Sequence, residues 1–220
     1  MSKPLLVIVG AGAGVSAAVA RKFGAEGYRV VLVARSQDSL NVLAQELESR
    51  GIEAHAVAAD AAKPESIEAA FKTIRDKHGS PEALLYNAAV ISKARISTLE
   101  ESRLVEELQV NVVGALTSVK QVVPEFVERK RGTILITGGG LALHPNPEYA
   151  SLSIGKAAVR SLAYSLAQEL KPHDVYVGTV TIGGYVSPGT YYDPDRIAEK
   201  YWDLARERDA VEFVFAERNR

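Results

Sequence analysis

Apolar positions along the chain follow two alternating rhythms, short unbroken runs and stripes at helical spacing. Leu5 to Val9 is a run suited to a strand buried on both faces, and Ser16 to Glu26 then carries Ala18, Val19 and Phe23 at helical intervals. The alternation repeats with a strand over Tyr28 to Ala34, a helix over Ser39 to Arg50 and a strand over Ile52 to Ala58. A proline-initiated helix over Pro64 to Lys77 and a short strand over Ala83 to Tyr86 follow. A long helical region from Thr98 to Lys130, expected to break at Pro124, leads to a strand over Thr133 to Ile136. A helix over Ser151 to Leu170, a strand over Val175 to Val180, a helix entered at Asp193-Pro194 and a strand over Glu212 to Phe215 complete the chain. Strands alternating with helices predict an α/β fold, a Rossmann-type doubly wound parallel sheet of about seven strands with helices on both faces. The chain of 220 residues shows no linker or repeat, so residues 1–220 read as a single domain.

The junction after the first run carries the first chemical signal. Gly10, Gly12 and Gly14 allow a sharp turn between strand and helix, with Ala13 and Val15 interleaved. Free backbone N–H groups and the positive end of the helix dipole would there face a phosphate, as in a dinucleotide site. The second strand ends in Arg35 and Ser36, about twenty residues past the turn, where such a fold meets the adenosine ribose. An acidic residue would repel a 2′-phosphate, whereas Arg35 can pair with it and Ser36 can donate to it. NADP is therefore expected in preference to NAD. A solvated arginine at a strand end is the plainer alternative.

Charge and composition narrow the classes. The formal net charge of -1 and the lack of a basic run argue against nucleic acid. With no cysteine, disulfides and thiolate chemistry are excluded and a reducing, cytoplasmic setting is expected. The four histidines, His55, His78, His144 and His173, are scattered, and no metal site is expected. The first apolar run is too short to span a membrane.

In this order the motifs resemble the short-chain dehydrogenase/reductase family over nearly the whole chain. Val9-Gly10-Ala-Gly-Ala-Gly14-Val-Ser16 resembles the family's glycine turn, with Ser16 at its last glycine, a replacement expected to hold the helix slightly away from the strand. Asp60 is similar to the family's aspartate beside adenine, and Asn87-Ala88-Ala89 to its Asn-Ala-Gly. Asn111 matches the asparagine that holds a water near the catalytic lysine, and Gly183 lies in a segment similar to the family's nicotinamide loop. Lys156 stands where the resemblance implies a lysine bonded to the nicotinamide ribose, as opposed to a polar residue on a helix surface.

The family's active site also uses a tyrosine four positions before that lysine and a serine at the end of the fifth strand. Those positions hold Leu152 and Gly139, which can neither donate a proton nor polarise a carbonyl. Tyr149 is the nearest replacement donor if the helix starts early enough, and otherwise packs its entrance. His144, Tyr185, Tyr191 and Tyr192 are further candidates. The resemblance implies hydride transfer between NADP(H) and a small carbonyl or alcohol, with a non-standard proton donor. The alternative is an NADP(H)-binding sensor or partner-binding protein without turnover. It also implies a homodimer or homotetramer built on the helices at 98–130 and 151–170, and the short segment after Gly183 implies a reduced substrate lid.

Overall fold

In the computed structural model, which describes residues 3–217, the apolar runs become strands β1 (Leu5–Val9), β2 (Arg29–Ala34), β3 (Ala54–Ala58), β4 (Ala83–Tyr86), β5 (Gly132–Gly139), β6 (Val175–Ile182) and β7 (Glu212–Phe215). The helices between them are α1 (Val15–Ala25), α2 (Gln37–Ser49), α3 (Pro64–His78), α4 (Glu101–Leu108), α5 (Gly114–Arg129), α6 (Ala150–Leu170) and α7 (Pro194–Glu207). All seven strands pair in parallel in the order β3-β2-β1-β4-β5-β6-β7. The order reverses between β1 and β4, which opens a crevice at their carboxyl ends.

Alternation along each strand divides the core. Leu6 and Ile8 pack with α1, α2 and α7 on one face, while Leu5, Val7 and Val9 pack with α3, α5 and α6 on the other. Burial on both faces explains why the central strands read as unbroken apolar runs. Tyr201 on α7 is fully buried and donates to Thr137 Oγ1 on β5 at 2.7 Å, which satisfies both hydroxyls.

The expected break at Pro124 is absent. α5 runs through this exposed proline, and the carbonyl one turn back, on exposed Lys120, is left to water at little cost. The region from 98 to 130 is instead divided by a π-helical turn at Gln109–Val113, whose extra residue turns Asn111 inward. Ser16 lies in the first turn of α1. Its hydroxyl is fully buried and donates to Gly10 O at 2.8 Å. His55 and His78, far apart in sequence, stack with ring centroids 4.1 Å apart beside β3. Among the described residues no group of three or more His, Asp or Glu side chains could hold a metal, and no helix is long and apolar enough to cross a membrane.

A buried carboxylate ties the sheet edge to α6. Glu212 on β7 accepts from Arg160 Nε at 2.9 Å and Nη2 at 2.6 Å, from Tyr164 at 2.9 Å and from Thr181 at 2.5 Å. Burial pushes its carboxyl up, but the bonds from Arg160, Thr181 and Tyr164 outweigh this and hold it below the ordinary value. The stabilisation is therefore present above about pH 4.3, the ordinary carboxyl value, and is lost as pH falls through the lower folded-state value. Glu212→Ala is expected to cost about 1–2 kcal/mol at neutral pH, through the loss of charge-assisted bonds from an Arg160 side chain that stays 35% exposed to solvent, and to flatten the loss of stability below pH 4. Urea unfolding of both proteins at several pH values checks this. An unchanged midpoint at neutral pH would refute it.

Candidate functional site

The crevice at the switch point is a cleft of about 290 Å³. Its floor is the turn after β1. Gly10 adopts φ +87° and lies so close to the loop after β4 that a Cβ there would stand 2.2 Å from Ala88 N. The N–H groups of Gly10 and Ala11 are bonded to Val33 O, whereas those of Gly12, Ala13 and Gly14 make no hydrogen bond among the described residues. These free donors continue into the N-terminus of α1, where Val15 turns its side chain into the core. The turn thus has the donors and the dipole for a pyrophosphate.

Ser16 and Asn87 lock this floor together. Asn87 Nδ2 donates to Ser16 Oγ at 2.8 Å, and Asn87 N donates to Val9 O at 2.8 Å. A polar triangle of Gly10 O, Ser16 and Asn87 therefore stands where a glycine would bring helix and strand together by packing alone. The sequence shows the replacement, but its partner 71 residues on becomes visible only in the fold.

Along the rim, Arg35, Asp60, Asn87 and Ala88 all line the cleft. Arg35 is exposed and has no ion pair or hydrogen bond among the described residues, so its guanidinium is available to an anion. Ser36 caps α2 by accepting from Ser39 N at 3.3 Å, so its hydroxyl already has one structural task. Asp60 Oδ1 accepts from Ala62 N at 3.0 Å and shapes the turn after β3.

The second half of the site lies beyond β4 and β5. Asn111 Oδ1 accepts from Val90 N at 2.7 Å, so the π-helical turn holds the loop after β4 in place. Lys156 Nζ donates to Thr137 O at 2.8 Å, and burial of its ammonium pushes the group down to about 8. Asn111 and Lys156 are each tied to a different backbone carbonyl or amide. Gly183 donates from its N–H to Phe215 O at 2.8 Å and lies beside Gly140, so the loops after β5 and β6 meet there. The segment after Gly183 reaches α7 without a helix, in keeping with a small lid.

The candidate proton donors are dispersed. Tyr149 is the N-cap of α6, with its backbone bridged to Ala94 and its ring 5.9 Å from the Lys93 ammonium. His144 is exposed, as is Tyr185. Tyr191 and Tyr192 pack on Phe215, and their hydroxyls bond to Ala216 O and Glu217 N. Leu152 is buried.

A polar knot beside the start of α6 gave no signal in the sequence. Glu107 on α4 accepts from Ser92 at 2.6 Å and from Arg103 at 2.9 Å. Burial pushes its carboxyl up, but the bonds from Ser92 and Arg103 and the nearby Ser151 hydroxyl bring it below the ordinary value. Neither Glu107 Oε2 nor Ser151 Oγ makes a hydrogen bond of normal geometry. Arg103 and Glu107 at helical spacing read as an ordinary surface pair until Ser92, in the loop after β4, joins the buried Glu107.

A parallel sheet with this reversal, a glycine turn at its centre and a lysine on the sixth helix define a dinucleotide-fold protein of the short-chain type. The family model described as short chain dehydrogenase matches residues 4–193, and the chain belongs to that family. It is 27% identical to the 3-oxoacyl-[acyl-carrier-protein] reductase FabG of Staphylococcus epidermidis, over 86% of this chain and 78% of that one. It is 28% identical to an uncharacterized oxidoreductase of Listeria monocytogenes, over 81% of this chain and 72% of that one. Among solved structures, a metagenomic short-chain oxidoreductase in complex with NADP superposes with a TM-score of 0.88 at 28% identity, covering 97% of each chain. An alcohol dehydrogenase from the archaeon Thermococcus sibiricus complexed with 5-hydroxy-NADP superposes with a TM-score of 0.87 at 25% identity, covering 99% of each chain.

Proposed function

We propose that this protein is an NADP-dependent oxidoreductase that interconverts a small carbonyl compound and its alcohol, with a proton donor other than the family's tyrosine. The observation that carries the reading is the cleft at the switch point, which joins unbonded turn amides to an unpaired arginine at its rim. The two relatives solved with NADP or its 5-hydroxy derivative support the choice of cofactor.

The residues present fit such a group. The amides of Gly12, Ala13 and Gly14 and the N-terminus of α1 would hold the pyrophosphate, and Arg35 with Ser36 would hold the 2′-phosphate. Asp60 and the Asn87-Ala88 segment would border the adenosine half, and Lys156 and Gly183 the nicotinamide half. When bound, the cofactor supplies or accepts the hydride. The chain itself must orient the carbonyl, exclude water and move one proton at the carbonyl oxygen.

Fluorescence titration with NADPH, beside NADPH oxidation assays over a panel of aldehydes and ketones, tests the reading. Binding together with turnover of at least one carbonyl is the expected result. Binding without turnover of any would favour a cofactor-binding sensor. The proposal includes a homodimer or homotetramer, since α4, α5 and α6 leave Val105, Leu116 and Ile154 exposed. A monomer mass in light scattering would refute that part.

A further inference from the structure

Tyr86 is the last residue of β4 and immediately precedes Asn87, which lines the cleft. It is buried, and its backbone is fixed in register between Val9 of β1 and Ile136 of β5. The side chain leaves the strand on the face covered by α3 and α5, where its hydroxyl donates to Val110 O in the π-helical turn. Burial pushes the phenol well above its ordinary value, so it stays a donor across the working pH range. A third segment meets the pair. Gly114 closes the turn by donating to Gln109 O, and a Cβ on it would collide with both the Tyr86 hydroxyl and Ala61 O. The end of β4, the turn and the segment after β3 therefore converge at a glycine.

All three segments reach the cleft. Ala61, Asn87 and Val110 line it, as does Val90, whereas Tyr86 does not. Asn111, the next residue after Val110, accepts from Val90 N at 2.7 Å. Two ties thus hold one wall in series. Tyr86 seats the turn on the sheet, and Asn111 seats the loop after β4 on the turn.

We propose that Tyr86 is a positioning residue for the cofactor, whose hydroxyl fixes the π-helical turn and thereby sets the spacing of the cleft wall formed by Ala61, Val110 and Val90. The proposal rests on the reading of this cleft as the NADP site. Tyr86 acts through Val110 and Asn111. A single π turn inserted between α-helices holds one residue more than the α-helical path, and losing that residue from the turn would rotate Asn111 by about 100° away from Val90. The bond to Val110 O opposes this slip.

Tyr86→Phe removes the hydroxyl and keeps the ring. In fluorescence titrations its Kd for NADPH is expected to rise about three- to tenfold, the worth of one hydrogen bond. Tyr176→Phe is the control, because Tyr176 is also a buried strand tyrosine, donates to Ala210 O at 2.7 Å and does not line the cleft. It should lower the urea midpoint as Tyr86→Phe does and leave the Kd for NADPH unchanged. Asn111→Ala should weaken NADPH on its own, and adding Tyr86→Phe to it should weaken binding little further, since both ties act through one turn. An unchanged Kd in Tyr86→Phe overturns the proposal, as does an equal rise in Tyr176→Phe or full multiplication of the Tyr86 and Asn111 losses. Each of these leaves the cofactor reading standing. If the unaltered protein does not bind NADPH, both fall.

Discussion

Gly10→Ala is expected to unfold the centre of the sheet, at a cost on the order of 3–5 kcal/mol, and to abolish NADPH binding. Two independent penalties meet at this residue. The backbone has φ +87°, which a side chain resists, and the added Cβ would lie 2.2 Å from Ala88 N and 2.5 Å from Ala88 Cα. Neither backbone can retreat, because Asn87 N is held by Val9 O at 2.8 Å and Gly10 N by Val33 O at 2.8 Å. Gly12→Ala is the control. A Cβ there meets nothing within 4 Å, so the fold should keep nearly all its stability. Urea midpoints of the two variants check the contrast, and equal midpoints would show that the approach of β1 to β4 does not set the cost.

Arg35→Asp is expected to reverse the cofactor preference. The guanidinium would be lost from the 2′-phosphate of NADPH and replaced by a carboxylate, which repels that phosphate and can accept from the ribose hydroxyl of NADH. The ratio of NADPH to NADH affinity should fall by about 10²-fold or more, since a charge-assisted bond to the phosphate is lost and a like-charge repulsion takes its place. Arg35 is exposed and makes no ion pair among the described residues, so the melting temperature should be unchanged. Calorimetric titration with both cofactors measures the ratio. An unaltered ratio in a fully folded variant would remove Arg35 from the site.

These two predictions differ in how far the sequence carries them. The glycine turn and Arg35 are visible as residues, because both sit at strand ends whose apolar runs mark them plainly. The clash that makes Gly10 irreplaceable involves Ala88, and only the parallel pairing of β1 with β4 brings the two together. The break expected at Pro124 shows the opposite error. Local chemistry argues for a kink there, but on an exposed helix face water can donate to the freed carbonyl, and the helix continues.

The amino-acid sequence by itself determined the order of strands and helices, the parallel sheet and the place of the crevice. Those properties follow from periodicity and turn chemistry over a few neighbouring residues. By resemblance alone, Leu152 and Gly139 would stand where the family keeps a tyrosine and a serine. Only the tertiary structure decided the contacts between distant side chains. The lysine stem lies across Gly139, and its nitrogen reaches Thr137, 19 residues away. The bond from Asn87 to Ser16, the stacking of His55 on His78 and the embrace of Glu212 by Arg160 are of the same kind. Each joins residues 23 to 71 positions apart, a separation at which side-chain spacing carries no local signal and only packing sets the partner.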